Sequence, residues 1–286
     1  MERLIKAAGV FAIVFVVLIF AFLLWDALPI FRERPLRELL AGGRWSPTAE
    51  PPQFGMLPLL LGSLYVTAGA LLLAVPLGLA TAVFIADVAP PRLQEVLKPT
   101  VELLAAIPSV VFGFLGLLLV GPWLARWLNL PVAQFAALGS LMLALMAIPT
   151  IVSVSEDAIR AVPRSLRDNS LALGATHWQT ISRVVVPAAR SGIVAAVLLG
   201  LGRAIGETMT VLMVTGNAAV IPRGLQGFLR PVETMTATIA AEMGETAYRT
   251  SHYHALFAIG LILFLVTFLT STLADLALGR AGRAAR

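Results

Sequence analysis

The sequence predicts an all-α integral membrane protein with six transmembrane helices, and three observations carry that prediction. Of 286 residues, 58% are hydrophobic and 13% charged, and the mean hydropathy of +0.89 lies far above that of a soluble globular chain. Six apolar runs, at 7–25, 58–86, 103–124, 132–154, 191–214 and 255–276, are each long enough for a helix to cross the bilayer core. With the N-terminus inside, those six spans put twelve Lys and Arg in the cytoplasm and eight on longer external loops, a bias that favours both termini inside.

In chain order, Arg3 and Lys6 precede the first run as they would in a signal peptide. The run is long for one, however, and Asp26-Ala27-Leu28-Pro29 follows without a small-residue cleavage site, so it reads as an anchor. Segment 26–57, with Pro29, Pro35, Pro47, Pro51, Pro52 and several Arg, reads as an irregular external loop. Segment 87–100 carries Pro90-Pro91 and reads as a short polar turn. Pro108, Gly113, Gly116 and Pro149 interrupt the third and fourth spans, as kinks or as bends around a cavity.

Segment 155–190 is charged and helix-capable. Ser165 is placed to cap a helix whose first turn holds Asp168, Gly174 ends or bends it, Thr176 begins the next, and Pro187 marks the start of the following span. Segment 215–254 opens at Gly216-Asn217 and carries a short helix at 232–243, begun by Pro231 and ended by Gly244. Loops of this length in a compact membrane protein are usually functional. This one suits docking of an external partner, with Arg223, Arg230 and Glu233 as candidate contacts. The chain thus divides into an anchor and first loop at 1–57, a five-helix core at 58–277 and a short tail at 278–286.

Arg203 and Glu207 stand four residues apart inside the fifth span. Arg costs about 2.5–3.5 kcal/mol at the centre of a membrane helix, so such a residue marks a pathway or a buried pair. On one continuous helix the two share a face. A guanidinium grips two oxygens of an oxyanion at once. The carboxylate either holds Arg203 when substrate is absent or accepts from a protonated oxygen of the anion. An ion pair that only locks two helices fits the same residues. The small residues Gly192, Ala196, Gly200, Gly202 and Gly206 recur at helical spacing and suit close packing.

Several classes fall away. The chain has no cysteine, so disulfides and thiolate metal sites are excluded. Lys6 and Lys98 are its only lysines and neither follows a glycine, so a phosphate-cradling G-x-x-x-x-G-K loop is absent. His177, His252 and His254 lie outside the expected spans without enough converging ligands for a metal. No basic run interleaves with aromatics, which argues against nucleic acid.

From Gly174 to Pro187 the spacing matches the EAA loop of ABC importer permeases, which runs Glu-Ala-Ala, three residues, Gly, nine residues, Ile-x-Leu-Pro. Val184 and Val186 stand at the aliphatic positions; Asp168-Asn169-Ser170 keeps only the leading acid. The strings AAIPSVVFGF (105–114), SVSEDAIRAVPRSLR (153–167) and GLGRAIGETMTVLMVTGN (200–217) resemble the phosphate-specific Pst permeases. Residues 54–58 and 236–242 are similar to the PstC type rather than its PstA-type partner.

That resemblance implies a type I ABC importer permease fold in a bacterial inner membrane, and a heterodimer with a PstA-like permease. Two PstB-like ATPases would bind ATP and Mg beneath it, with a PstS-like periplasmic phosphate-binding protein above; this chain would hold no cofactor of its own. Asp168, Leu171, Gly174, Ala175, His177 and Pro187 become ATPase-coupling residues, with a short docking helix at about 171–177, and Arg203 and Glu207 become the substrate pathway. Permeases for molybdate, sulfate or phosphonate share the loop. A self-sufficient ion-coupled carrier using Glu207, or a membrane sensor without transport, leaves the loop unexplained.

Overall fold

The computed structural model describes residues 2–284; Arg286, at the end of the expected tail, lies outside the described residues. Helix α1 (Glu2–Glu33) runs past the expected end of the first span and absorbs Pro29. Its outer face from Leu4 to Phe22 is exposed, as a lipid-facing helix requires, while Ala27 and Ile30 are fully buried.

Segment 26–57 is not an irregular loop. After α1 come α2 (Leu36–Ala41) and a two-stranded antiparallel hairpin, β1 (Trp45–Ser46) with β2 (Gln53–Phe54), in which Trp45 pairs with Phe54. Leu39, Trp45, Phe54 and Met56 are buried in one apolar cluster with Ala255, Leu256 and Ile259. Their burial orders the segment despite its prolines, since burying each such side chain contributes roughly 1.5–3 kcal/mol.

Helix α3 (Leu57–Val83) ends in a π-helical turn at Phe84–Val88. The expected polar turn that follows is largely helical, α4 (Pro91–Ala106). Pro90 and Pro91 start this helix rather than break it, because the first turn needs no amide donor. Ile107 and Pro108 are extended, so the third span begins only at Ser109 and runs through α5 (Ser109–Leu115), a π-helical turn (Gly116–Val120) and α6 (Gly121–Trp127).

Helix α7 (Ala136–Arg160) is the central span and packs along α3. Ser140 Oγ lies 3.1 Å from the Val66 carbonyl, binding the two helices inside the core. Then come α8 (Arg164–Ala172), α9 (His177–Thr180), a π-helical turn (Ile181–Val185), α10 (Val186–Ala188) and α11 (Arg190–Gly206). The pieces 177–188 and 190–206 meet at 69°, just beyond Pro187. Among the described residues, five helices are long and apolar enough to cross a membrane, and six spans result when this bent pair is taken as one.

The fifth span is shorter than 191–214: α11 stops at Gly206, and α12 (Met209–Val214) starts afresh after an extended Glu207. Gly192 and Gly200 sit against Ala158 and Ile151 of α7, where an added Cβ would lie 2.4 and 2.7 Å from a side-chain carbon, so these two serve packing; a Cβ at Gly202 would meet only Thr270 Oγ1 at 4.0 Å, and Gly206 faces open space.

Helix α13 (Met235–Glu242) matches the short helix expected at 232–243, with the Thr234 side chain rather than Pro231 at its cap. It is no exposed ornament, since Met235 through Thr238 are buried. The chain ends in α14 (Ser251–Ala284), packed against α1 and α11. Gly62 of α3 fixes the segment before α13, because a Cβ there would lie 2.0 Å from the Glu233 carbonyl oxygen. Gly62→Ala should therefore lower stability by about 1–3 kcal/mol through overpacking. Gly202→Ala, whose Cβ would meet nothing closer than 4.0 Å, should be neutral or mildly stabilising. Thermal unfolding of the two variants in detergent reads the difference.

Candidate functional site: a broken pore helix and a coupling loop

The break between α11 and α12 separates the two charges. Glu207 leaves the helix at ψ 129°, so Arg203 and Glu207 do not share one helical face, and no ion pair joins them among the described residues. Glu207 acts locally instead. Its Oε1 accepts from the Thr210 amide at 3.1 Å, capping α12, and its carbonyl accepts from Thr236 Oγ1 at 2.8 Å, holding α13 against the break. Thr210 Oγ1 donates to the Ser109 carbonyl at 2.9 Å, which ties α12 to the start of α5. A small cavity beside Glu207, lined by Ser63, Thr67, Thr234 and Thr236, has room for about one water.

Arg203 points elsewhere. Nη1 lies 3.3 Å from Thr150 Oγ1 on α7 and Nη2 lies 3.5 Å from the Ala105 carbonyl at the end of α4. The latter suits a cation, since the last carbonyls of a helix carry partial negative charge. Both contacts are long, and the other three of five guanidinium N–H groups have no protein partner among the described residues. Arg203 is half-buried and charged, with donors to spare for an anion.

Just past the C-terminal end of α7 lies the loop. Helix α8 begins after Pro163 with no side-chain cap, so Ser165 is inside the helix and Asp168 falls beyond the first turn. Gly174 adopts φ +85°, and Ala175 closes the turn by donating to the Ser170 carbonyl at 3.2 Å. Glycine is there for backbone conformation, since nothing lies within 4 Å of where a Cβ would sit. Thr176 and Gln179 form a reciprocal capping box that starts α9. The expected single docking helix at 171–177 is instead the last two residues of α8, the turn at 173–176 and the first residue of α9.

Asp168 and Leu171 on α8, Gly174 in the turn and His177 at the start of α9 are exposed, Ala175 is half-buried, and Pro187 lies thirteen residues past Gly174 within the bent pair. Sequence spacing missed two neighbours. Leu173 is 90% exposed and Trp178 66%, which makes an apolar patch on a charged surface. Unlike Leu4 or Phe11, they stand on a polar connector, so lipid does not account for them.

Arg167 anchors the loop to the bundle, and a separate ionic cluster braces α4 against α7. Arg167 of α8 pairs with Asp87 below α3 and donates to the Ile159 carbonyl of α7 at 2.9 Å. Lys98 of α4 bonds Glu156 at 2.8 Å and Asp157 at 3.2 Å, and Arg160 also pairs with Glu156, which is 1% exposed. The hydrogen bond to Glu156 is the main reason that the Lys98 pKa is raised. The signal was visible in the charged string 153–167, but which charges pair depends on tertiary contact.

At the hairpin end, Arg223 and Arg230 are exposed and Glu233 is buried, so only the arginines fit the expected external contacts. Burial, with repulsion from Glu242, pushes the Glu233 carboxyl up from near 4.5 to about 7. Between those values the folded chain holds a proton that the unfolded chain has lost. Stability should therefore fall as pH rises from about 4.5 to about 7, by on the order of 2–3 kcal/mol, and Glu233→Gln should remove that slope in pH-dependent thermal unfolding.

A helical bundle whose broken span holds a guanidinium, with a capped turn that Arg167 ties to the end of α3 by an ion pair and to α7 by a hydrogen bond, is the arrangement of a membrane permease. The chain belongs to the family of binding-protein-dependent transport system inner membrane components, whose model matches residues 74–281. It is 42% identical to the probable ABC transporter permease protein YqgH of Bacillus subtilis, across 81% of this chain and 74% of that relative. It is 36% identical to the phosphate transport system permease protein PstC of Mesorhizobium japonicum, across 87% and 79%.

Among solved structures, a bacterial alginate ABC transporter in complex with its alginate-bound periplasmic protein gives a TM-score of 0.65 at 15% identity, covering 96% of this chain and 93% of that one. The inward-facing MetNI methionine ABC transporter gives 0.60 at 19% identity, covering 82% and 99%. These two fix the fold as that of type I ABC importer permeases. The chain is a multi-pass inner membrane component.

Proposed function

We infer that this chain is the PstC-type permease subunit of an ATP-driven inorganic phosphate importer. The observation that carries this reading is the 36% identity to a phosphate transport permease along 87% of the chain, a stretch that includes both the broken span and the loop. Arg203 is the transient phosphate ligand of the pathway, and Glu207 is the cap that keeps the helix break open beside it. Asp168, Leu171, Gly174, Ala175, His177 and Pro187, joined by Leu173 and Trp178, form the face that an ATPase drives; Arg167 links α8 to the end of α3 and to α7, and the Lys98–Glu156 pair in turn joins α7 to α4.

The partners in this reading are a PstA-like permease, two PstB-like ATPases that bind ATP and Mg, and a PstS-like binding protein. Both termini and the loop face the cytoplasm, as the Lys and Arg bias favours. ATP hydrolysis by the reconstituted complex should rise with phosphate-loaded binding protein and stay at its resting rate with sulfate or molybdate. Equal stimulation by sulfate would return the chain to the wider oxyanion class.

A further inference from the structure

Thr150 lies one residue past Pro149 on α7, half-buried, and its Oγ1 accepts from Arg203 Nη1 at 3.3 Å. That bond uses a lone pair and leaves the hydroxyl hydrogen to be placed. A helical threonine can donate to the carbonyl one turn back, as Thr81, Thr100, Thr267 and Thr272 do here at 2.8, 2.7, 2.9 and 2.8 Å. Thr150 makes no such bond to Met146, and its hydrogen has no acceptor among the described residues.

The space beside this pair is open. Gly206 stands three residues after Arg203 on α11, hence on the same face, and nothing lies within 4 Å of where its Cβ would be. Ile107 and Pro108 are exposed just past Ala105, whose carbonyl Arg203 also reaches. The guanidinium, with three N–H groups to spare, and the uncommitted hydroxyl of Thr150 thus stand side by side next to room for a ligand.

We propose that Thr150 is a second ligand of the transported anion, donating its hydroxyl hydrogen to one oxygen while Arg203 holds two others. This role rests on the importer reading above and deepens it, adding an uncharged ligand to the pathway. A guanidinium takes two oxygens in its own plane, and a third oxygen of a tetrahedral anion projects out of that plane, where a donor on a neighbouring helix can meet it. Because Arg203 donates to Thr150 Oγ1, the hydroxyl is polarised and becomes a stronger donor in its turn. A hydroxyl also accepts, so it serves a bare or a protonated phosphate oxygen alike. Being neutral, it adds hold without trapping the ion, which a pathway requires.

The test is phosphate uptake by the whole complex in proteoliposomes, normalised to complex recovered, as the concentration of phosphate-loaded binding protein is varied. Thr150→Val keeps the branched shape without the hydroxyl. It should lower the maximal rate by about two- to tenfold, the effect of one neutral hydrogen bond, and leave the half-saturating concentration of binding protein unchanged. Thr150→Ser restores the hydroxyl and should return the rate to within about twofold of wild type. Combined with Arg203→Gln, Thr150→Val should slow uptake further. Thr150→Val at the native rate, or a Thr150→Ser as slow as Thr150→Val, would overturn the proposal and leave the importer reading standing. So would a double variant no slower than Arg203→Gln alone, because the hydroxyl would then act only by steadying the guanidinium. A wild-type complex that takes up no phosphate would instead remove the importer reading, and this role with it.

Discussion

Arg203→Gln is expected to lower phosphate-driven transport by roughly ten- to a hundredfold while the complex still assembles in the membrane. The size follows from chemistry: a charge-assisted hydrogen bond to an anion is worth about 1.5–3 kcal/mol, and glutamine keeps much of the length and some N–H donors without the charge. Assembly should survive because the protein contacts of Arg203, at 3.3 and 3.5 Å, are long. Glu207→Gln should behave differently. It keeps an oxygen to accept from the Thr210 amide, so the cap persists and transport falls less. Since no ion pair joins the two, the double variant should lose about the sum of the single losses, with no mutual rescue. Transport assays on the three variants, normalised to complex recovered, read this directly. A double variant at the native rate would remove the pathway role.

Leu173→Asp should detach the ATPase from an otherwise folded permease. Leu173 is 90% exposed here, so a charge there costs the isolated chain almost nothing. In a docked complex the same substitution forfeits about 2 kcal/mol of apolar burial and strands a carboxylate in the interface, which weakens binding by well over tenfold. Trp178→Ala should act in the same direction, less severely. Gly174→Asp tests the turn rather than the patch, because the φ of +85° disfavours any side chain by about 1 kcal/mol even where space is open. Co-purified ATPase per permease measures all three. Full retention with Leu173→Asp would assign the patch to something other than the ATPase.

The spans were legible because lipid imposes a one-dimensional rule: long apolar runs must be helical. The loop was legible because Gly174, Thr176 and Pro187 each have a local backbone reason to stand where they do. What sequence concealed was tertiary. The break at Glu207 has no proline to announce it, and the apolar periodicity continues across it, so a single span was the natural reading. Segment 26–57 reads as irregular until Trp45 and Phe54 find α14. Glu233 looks like an external charge until Gly62 draws its backbone against α3. In the same way the polar string at 87–100 hides a helix, since prolines at its start look like turn residues unless the first-turn exception is applied.

The most direct measurement of the central claim is phosphate uptake into proteoliposomes holding this chain and its permease partner, with and without the ATPase and the binding protein. Uptake is expected only when ATPase, ATP and phosphate-loaded binding protein are all present. Uptake by the permease chains alone, driven by an ion gradient, would contradict it and restore the carrier reading.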